Sequence, residues 1–373
     1  MTADGVAHRS SLDDLPSCQL LIGGEWVDGA ATIPVPDKYR LQPAMTAHLP
    51  TRKQVSACVA SADAAFRADT LTACDRGAIL DRTAGHIEKR TADLVDVLRQ
   101  EAGFPRRDAL GEIQRCANTF RLSAEEARRF RGEVVPMEGA PGQRGRIGFT
   151  MRVPLGVVCA ITPFNAPLNT VAHKVGPALA AGNAVVLKPS LHTPMTSCIM
   201  AECLMTAGLP AGLMSVVHGN GDVAQWLLSE PLVRFYAFTG STEVGRLIQS
   251  GAGLRRTQME LGSIAHCILC DDADLDVALP KVVNAGFRKA GQVCTSIQVL
   301  LVQRPLVKEV ERRLTALVSA LPYGDPADDK TVVGPVVSEA SAKRIESWID
   351  LAVATGARRL TGNTRLAAGA LVI

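Results

Sequence analysis

The chain has 373 residues, of which 47% are hydrophobic and 21% charged, and its net charge is +3. This length favours two domains, and the small charge is not typical of a protein that binds nucleic acid or a membrane surface. No run of about 18 apolar residues could span a bilayer, the first residues lack a signal-peptide pattern, and the ten cysteines form no paired framework, so we expect a cytoplasmic protein.

The first part of the chain predicts a hairpin, helices and a ribbon. Two apolar runs around a glycine pair predict a β-hairpin over residues 20–27. Apolar residues at helical spacing predict helices over residues 76–100 and 108–129, the second with its arginines on a solvated face. Residues 133–152, rich in glycine and proline and then β-prone, predict a protruding β-ribbon arm suited to subunit contacts. The polar residues 1–15 are expected to be loosely held.

From residue 153 onward, short apolar strands alternate with helices. Strands are predicted over residues 157–161, 184–187, 214–217 and 233–238, and helices over residues 169–181, 193–206, 222–228 and 242–249. This order predicts an α/β fold with a doubly wound parallel sheet. Ligands bind such sheets beyond the carboxyl ends of the strands, so we expect the turns after these strands to share one edge.

A second α/β region follows. Its predicted elements are strands at residues 268–269 and 297–302 and helices over residues 275–290, 305–321 and 340–355. The chain then reaches an apolar segment with strand character at residues 371–373. We therefore predict one domain over residues 16–258, including the ribbon arm, and a second domain over residues 259–373.

Three turns at the predicted ligand edge are candidates for binding a nucleotide. Gly219-x-Gly221 opens a helix as a dinucleotide fingerprint does, but it lacks the third glycine and favours a plain tight turn. Gly240-Ser241-Thr242 begins the next helix, where free backbone N–H groups attract phosphate, although a simple N-cap explains these residues equally well. Lys188 ends a buried strand and could contact a ribose or phosphate, but taken alone it is more typical of a solvated lysine.

One cysteine-rich segment could indicate a metal. His266-Cys267-x-x-Cys270 lies in an apolar run, however, and no second ligand pair follows at a suitable spacing. We interpret it as a core strand and predict no metal site.

Cys294 differs from the other cysteines in its position. It lies in a short turn after Gly291, between a predicted helix and a predicted strand, whereas Cys159 and most others lie in apolar periodic segments. A cysteine in an exposed turn can act as a nucleophile, while any single cysteine is more often a small buried hydrophobe. Glu260 could serve it as a general base on water, but spacing alone does not pair the two.

Taken together, five motifs resemble those of the aldehyde dehydrogenase superfamily. They are Pro163-Phe164-Asn165, Lys188-Pro189-Ser190, Phe238-Thr239-Gly240-Ser241-Thr242-Glu243-Val244-Gly245, Met259-Glu260-Leu261-Gly262 and Gly291-Gln292-Val293-Cys294. They occur in the family's order, and the resemblance extends from about Leu21 to the last residue. It implies that NAD or NADP binds the first domain. The cofactor-binding residues that it implies are Ile161, Thr162, Pro163, Phe164, Lys188, Ser190, Gly221, Phe238, Gly240, Ser241, Val244, Gly245 and Leu261.

The resemblance also implies oxidation of an aldehyde to a carboxylic acid. Cys294 would attack the aldehyde carbon, and the Asn165 amide and the Cys294 backbone N–H would hold the oxyanion. Hydride transfer to the nicotinamide would leave a thioester, which Glu260 would hydrolyse by activating water. The implied partner is a small aldehyde, and the implied assembly is a homodimer or homotetramer when the family's C-terminal tail is present.

The sequence departs from the family's pattern at three places. Ser263 replaces the second glycine of the general-base motif, which is typical of a divergent subfamily. Leu191 stands where NAD-preferring members often carry a glutamate, which makes NADP use plausible. The family's Glu-x-Phe-Gly-Pro motif is not found, so we expect an incomplete catalytic domain and weak or no turnover by these 373 residues.

Two alternatives remain open at this point. In a CoA-acylating aldehyde dehydrogenase, CoA would take the acyl group in place of water; Glu260 argues against this activity, because such enzymes generally lack that base. A truncated, non-catalytic remnant would bind nucleotide only, and the presence of Cys294, Glu260 and Asn165 argues against it.

Overall fold

The structure is a computed structural model that describes residues 15–362. Its strands are β1 (Ser17–Cys18), β2 (Leu20–Ile22), β3 (Glu25–Val27), β4 (Ala31–Pro36), β5 (Pro43–Leu49), β6 (Val134–Val135), β7 (Gly148–Phe149), β8 (Val157–Ile161), β9 (Ala184–Lys188), β10 (Met214–Val216), β11 (Val233–Thr239), β12 (Arg256–Glu260), β13 (Ala265–Leu269) and β14 (Ile297–Val302). Its α-helices are α1 (Arg52–Ala68), α2 (Ala73–Lys89), α3 (Thr91–Ala102), α4 (Arg106–Arg129), α5 (Asn169–Ala180), α6 (Met195–Thr206), α7 (Gly221–Ser229), α8 (Thr242–Ala252), α9 (Leu275–Phe287), α10 (Val307–Ser319) and α11 (Glu339–Ala354). The predicted strand at residues 371–373 and nearly all of the predicted loose N-terminal segment lie outside the described residues.

The main sheet has the strand order β12-β11-β8-β9-β10-β2-β3. The strands from β12 to β10 are mutually parallel, which confirms the predicted parallel sheet. Strands β8 and β9 are buried along their whole length, as expected for strands covered on both faces. The predicted hairpin is also present, and it extends the same sheet because β2 pairs antiparallel with β10.

Helices form two layers over this sheet. One layer contains α1, α7 and α8, which contact one another in sequence, and the other contains α2, α5 and α6. The long helix α4 packs outside the second layer against α2 and α5. This arrangement leaves the carboxyl ends of β8, β9, β11 and β12 together at one edge, so the prediction of a shared edge is confirmed.

The helix predicted over residues 76–100 is in fact two helices. It breaks at Arg90, whose φ of −91° and ψ of 17° end α2 and begin α3. The Thr91 hydroxyl donates to the Glu88 carbonyl at 2.6 Å, and the Arg90 guanidinium contacts Asp93 and Glu202. Such side-chain hydrogen bonds compete with the helical ladder, and Glu202 belongs to a distant helix that local periodicity does not reveal.

The predicted ribbon arm is present as the antiparallel pair β6–β7, with Val134 opposite Phe149. These two side chains are 80% and 67% exposed. A pair of large apolar side chains in solvent is consistent with a contact surface, and the use of the arm in subunit contacts stays a prediction.

The second region is built on the parallel pair β13–β14, with α9 and α10 packed against it. Its small core contains Leu269, Leu279 and Val310. The interpretation of residues 266–270 as a core strand is wrong in one respect: Ile268 is 69% exposed, because among residues 15–362 the helices cover only one face of this pair. Within the same range no group of His, Cys, Asp and Glu side chains is placed to hold a metal ion.

Candidate active site

The three predicted catalytic residues line one cavity of about 690 Å³. Each stands at the end of an element: Asn165 follows β8, Glu260 is the last residue of β12, and Cys294 lies in the turn before β14. Residues that lie as far apart in the chain as positions 165 and 294 therefore meet in one site. The remaining wall is formed mainly by one side of α5.

The register between β11 and β12 determines which way Glu260 points. Thr239 pairs with Glu260, and the side chains of Ala237, Thr239, Gln258 and Glu260 all line the cavity. The alternate residues point to the other face of the sheet, where Phe238 and Leu261 pack beside Gly245. Because successive side chains of a strand alternate, the same two strands present a carboxylate on one face and predicted cofactor contacts on the other.

The thiol of Cys294 is adjacent to the Glu260 carboxylate. Burial raises the pKa of Cys294, and the hydrogen bond and negative charge of Glu260 raise this pKa further. The backbone N–H groups of Cys294 and Thr295 act in the opposite direction. This environment therefore favours the protonated thiol of Cys294 over the thiolate.

The Asn165 side chain is held in a defined orientation. Its Nδ2 donates to the carbonyl oxygen of Gln292 at 2.6 Å, two residues before the cysteine. The Gln292 side chain is fixed in turn, because Nε2 donates to the Lys289 carbonyl and Oε1 accepts from the Val337 N–H. The second N–H of the Asn165 amide has no partner among residues 15–362 and remains available for a substrate oxygen.

Cationic side chains that the sequence did not reveal also line the cavity. They are Arg115, His173, Lys174, Arg288 and Lys289. Arg288 donates to the Thr295 hydroxyl at 3.2 Å, and in the amide orientation that satisfies both of its ends, Asn169 accepts from Arg115 at 2.8 Å. Within residues 15–362, neither arginine forms an ion pair. Both guanidinium groups therefore face the cavity without a carboxylate in ion-pairing distance among the described residues.

Burial lowers the pKa of two further basic side chains of the cavity, His173 and Lys174. Burial, Arg115 and Lys174 together lower the pKa of His173. Lys174 is hydrogen-bonded to the side chain of Gln258, and burial lowers its pKa while Glu260 acts to raise it.

The arginines of α4 were predicted to lie on a solvated face. Arg115 is exposed as predicted, but it also lines the cavity. The signal that could have revealed this wall is a polar stripe on α5. Asn169, Thr170, His173 and Lys174 fall on one face of a helix whose other residues are mostly buried and apolar.

The predicted cofactor residues lie at the carboxyl edge of the sheet. Ile161 pairs with Lys188 on one side and with Phe238 on the other. The Thr162 hydroxyl is buried without a hydrogen-bond partner. Burial lowers the pKa of the Lys188 ammonium to about 8, and no carboxylate in residues 15–362 lies within ion-pairing distance of it. An unsatisfied hydroxyl and an unpaired ammonium at one edge fit a ligand that carries hydroxyl and phosphate oxygens.

The first turns at this edge hold Pro163, Phe164 and Ser190. The Phe164 ring meets the His192 ring edge-on, with centroids 5.8 Å apart. Ser190 Oγ accepts from the His192 backbone N–H at 3.2 Å. These contacts connect the turn after β8 to the turn after β9.

The start of α8 is closely packed against the sheet. Ser241 is the N-cap, and its hydroxyl accepts from the Val244 N–H at 3.3 Å. A Cβ on Gly240 would lie 2.5 Å from the Phe238 ring, and a Cβ on Gly245 would lie 2.4 Å from Leu261. A larger residue at either position would have to displace the Phe238 ring or the Leu261 side chain, so the two glycines let the backbone of α8 lie close to the sheet.

The turn before α7 shows which of its glycines is required. A Cβ on Gly219, whose φ is +156°, would lie 2.2 Å from Val223, whereas a Cβ on Gly221 would meet nothing within 4 Å. The tight turn that we predicted therefore depends on Gly219.

Comparison with known proteins identifies the family. The model of the aldehyde dehydrogenase family matches residues 26–372. The chain belongs to the aldehyde dehydrogenase family. It is an NAD(P)-dependent aldehyde dehydrogenase by family, with the mixed α/β fold of those enzymes. No helix within residues 15–362 has the length and apolar character needed to cross a membrane.

Three similar proteins show how far the likeness extends. A 3-sulfolactaldehyde dehydrogenase of Priestia aryabhattai is 41% identical over 357 residues, covering 95% of this chain and 75% of the relative. The NADP⁺-linked succinate-semialdehyde dehydrogenase of Escherichia coli is 37% identical over 355 residues, covering 92% of this chain and 72% of the relative. The crystal structure of an NAD-dependent aldehyde dehydrogenase from Sinorhizobium meliloti superposes with a TM-score of 0.92 at 33% identity, covering 97% and 73% of the two chains.

Proposed function

We propose that this protein oxidises a small aldehyde with an anionic far end to the carboxylic acid, using NAD⁺ or NADP⁺. The observation that carries the proposal is the convergence of Cys294, Glu260 and Asn165 in one cavity that also holds unpaired arginines. Residues 16–258 serve as the cofactor domain, and residues 259–373 contribute the nucleophile. Glu260 is the last residue of β12, the strand that crosses the boundary between the two regions.

The first step forms a carbon–sulfur bond. Glu260 takes the proton of the Cys294 thiol, and the sulfur attacks the aldehyde carbon to give a thiohemiacetal. The developing oxyanion is held by the free N–H of the Asn165 amide and by the Cys294 backbone N–H, which together supply the electrostatic stabilisation that acyl chemistry requires. The raised pKa of Cys294 makes this proton transfer necessary.

The second half of the reaction releases the acid. When bound, the nicotinamide cofactor accepts the hydride that leaves the thiohemiacetal carbon, so a thioester remains on Cys294. Glu260, after giving its proton to solvent, takes a proton from water, and the resulting hydroxide attacks the thioester carbonyl. The carbon–sulfur bond breaks, the acid leaves and the free cysteine is restored.

The arginines of the cavity support an anionic substrate. Arg115 and Arg288 both line the cavity, and a guanidinium matches the geometry of a carboxylate or sulfonate. The relatives named above act on 3-sulfolactaldehyde and succinate semialdehyde, which carry a sulfonate and a carboxylate at the end remote from the aldehyde. The fixed charges of this cavity are suited to the same class.

A single-turnover experiment tests the proposal. Enzyme in excess over succinate semialdehyde is mixed with NAD⁺ or NADP⁺, and formation of the reduced cofactor is followed by absorbance. We expect one reduced cofactor per aldehyde consumed, no signal with Cys294→Ala, and an unchanged signal with Cys270→Ala, which replaces an exposed cysteine outside the cavity.

Two other outcomes would replace the proposal. Cofactor binding, detected by fluorescence titration, without any reduced cofactor would indicate a nucleotide-binding remnant. Formation of acyl-CoA in place of the free acid when CoA is added would indicate the acylating type.

A further inference from the structure

A buried ion pair lies at the wall of the cavity, which Lys289 helps to line. Lys289 Nζ is 2.9 Å from Glu112 Oε2, and the two side chains are 9% and 1% exposed. The ammonium also lies over the Phe104 ring, 4.3 Å from its centroid. Lys289 precedes the nucleophile by five residues, and Glu112 belongs to α4, so the pair joins two parts of the chain that are 177 residues apart.

The same lysine contacts the turn that carries the oxyanion donor. Its Nζ donates to the backbone oxygen of Asn165 at 3.0 Å. Glu112 Oε1 accepts from the backbone N–H of Asn169 at 2.8 Å, at the first residue of α5. The ion pair therefore holds both sides of the turn between β8 and α5.

These contacts belong to a closed ring of hydrogen bonds. The Asn165 amide donates to the Gln292 carbonyl, the Gln292 backbone and side-chain N–H groups donate to the Lys289 carbonyl, and the Lys289 ammonium donates to the Asn165 carbonyl. Lys289 closes the ring with its side chain while its backbone adopts a left-handed φ of 52°. A non-glycine residue in that conformation carries strain, which the surrounding contacts must offset.

We infer that Lys289 is a positioning residue that sets the placement of the Asn165 amide relative to Cys294. The inference rests on the proposed function, in which that amide stabilises the oxyanion. A displacement of about 1 Å at a reacting centre can lower a rate by about 10²-fold. The competing role is purely structural: Lys289 would only neutralise the buried carboxylate of Glu112.

Two variants separate these roles. Lys289→Met removes the ammonium and leaves the Glu112 carboxylate buried without a cation. Lys289→Met/Glu112→Gln also removes the lone charge and keeps an acceptor for the Asn169 N–H. The double variant therefore restores the charge balance without restoring the donor to the Asn165 carbonyl. Lys281→Met is the matched control, because Lys281 is an exposed lysine on the neighbouring helix α9.

The main measurement is the rate of reduced-cofactor formation in single turnover. We expect a fall of about 10²-fold for both Lys289→Met and the double variant, with cofactor affinity within about twofold of the wild type and Lys281→Met unchanged. A second measurement needs no cofactor: protection of Cys294 from iodoacetamide by succinate semialdehyde reports thiohemiacetal formation. Both variants should need more aldehyde for the same protection, which a purely structural role would not cause in folded protein.

The results can overturn the inference in separate ways. A double variant restored to within about twofold of the wild-type rate would show that Lys289 only neutralises Glu112. Wild-type rates and protection in Lys289→Met would show that it has no role. A wild-type protein with neither reduced cofactor nor protection would refute the proposed function itself, and the inference would fall with it.

Discussion

The arginines that line the cavity, Arg115 and Arg288, lead to a specific prediction about the end of the aldehyde that does not react. Arg288 lines the cavity six residues before Cys294, and the only hydrogen bond of its side chain among residues 15–362 goes to the Thr295 hydroxyl. Arg288→Leu removes the charge and keeps an apolar side chain over the same wall. We expect this change to weaken the use of anionic aldehydes selectively.

The free energy that Arg288 contributes to binding the anion depends on how far its side chain is exposed to water. A hydrogen bond to a charged group contributes about 1.5–3 kcal/mol. Arg288 is half-buried, so water and salt screen the interaction and the lower end applies. A loss of about 1.5 kcal/mol corresponds to a fall of about tenfold in kcat/KM. Arg115→Leu should act similarly, and the double variant should lose about 10²-fold if the two sites are independent.

The assay compares two aldehydes of equal chain length. kcat/KM is measured for succinate semialdehyde and for butanal, which lacks the carboxylate, in the wild type and in Arg288→Leu. We expect the succinate semialdehyde value to fall and the butanal value to change little, and salt at about 1 M should reduce the difference. Arg304→Leu, at an exposed arginine outside the cavity, is the control. An equal loss for both aldehydes would refute the reasoning, since Arg288 would then act through the nucleophile turn rather than on the anion.

Three further predictions concern the remaining groups of the site. Asn165→Ala removes one oxyanion donor and should slow formation of the reduced cofactor by about 10²–10³-fold without weakening cofactor binding in a fluorescence titration; a fall of less than about tenfold would contradict the donor role. Glu260 raises the pKa of Cys294, so Glu260→Gln should lower that pKa and increase the thiolate fraction below it. Iodoacetamide should then alkylate Cys294 faster at neutral pH while steady-state turnover falls, and unchanged alkylation would argue against contact between the two groups. Leu191→Glu places a carboxylate at the position associated with the adenosine ribose and should raise the KM for NADP⁺ more than the KM for NAD⁺; equal changes would place residue 191 away from the 2′-phosphate.

Several features were predictable from the sequence because they depend on local pattern. Continuous apolar runs over β8 and β9 predicted buried parallel strands, since only strands covered on both faces can be apolar along their whole length. The alternation of strands and helices then predicted the ligand edge, because parallel strands necessarily bring their carboxyl ends together. Five short motifs in order predicted the family, and with it the three residues that the fold brings into one cavity.

Local pattern was less informative where distant contacts decide the conformation. The periodicity of residues 275–290 is helical, yet α9 ends at Phe287, because Lys289 and Ala290 turn left-handed. The contacts that accompany this turn are with Glu112 and Asn165, more than 120 residues away in the chain. The break between α2 and α3 likewise involves Glu202 of α6.

The sequence by itself thus predicted most of the elements from residue 157 to residue 302, their order, the shared edge of the sheet and the three residues that meet in the cavity. Tertiary structure alone decided which charged side chains line the cavity and which contacts hold the turn before Cys294 in place. The physical reason is that strand and helix patterns arise from neighbours within a few residues, whereas a buried ion pair or a charged cavity wall depends on side chains from distant segments that meet only when the chain has folded.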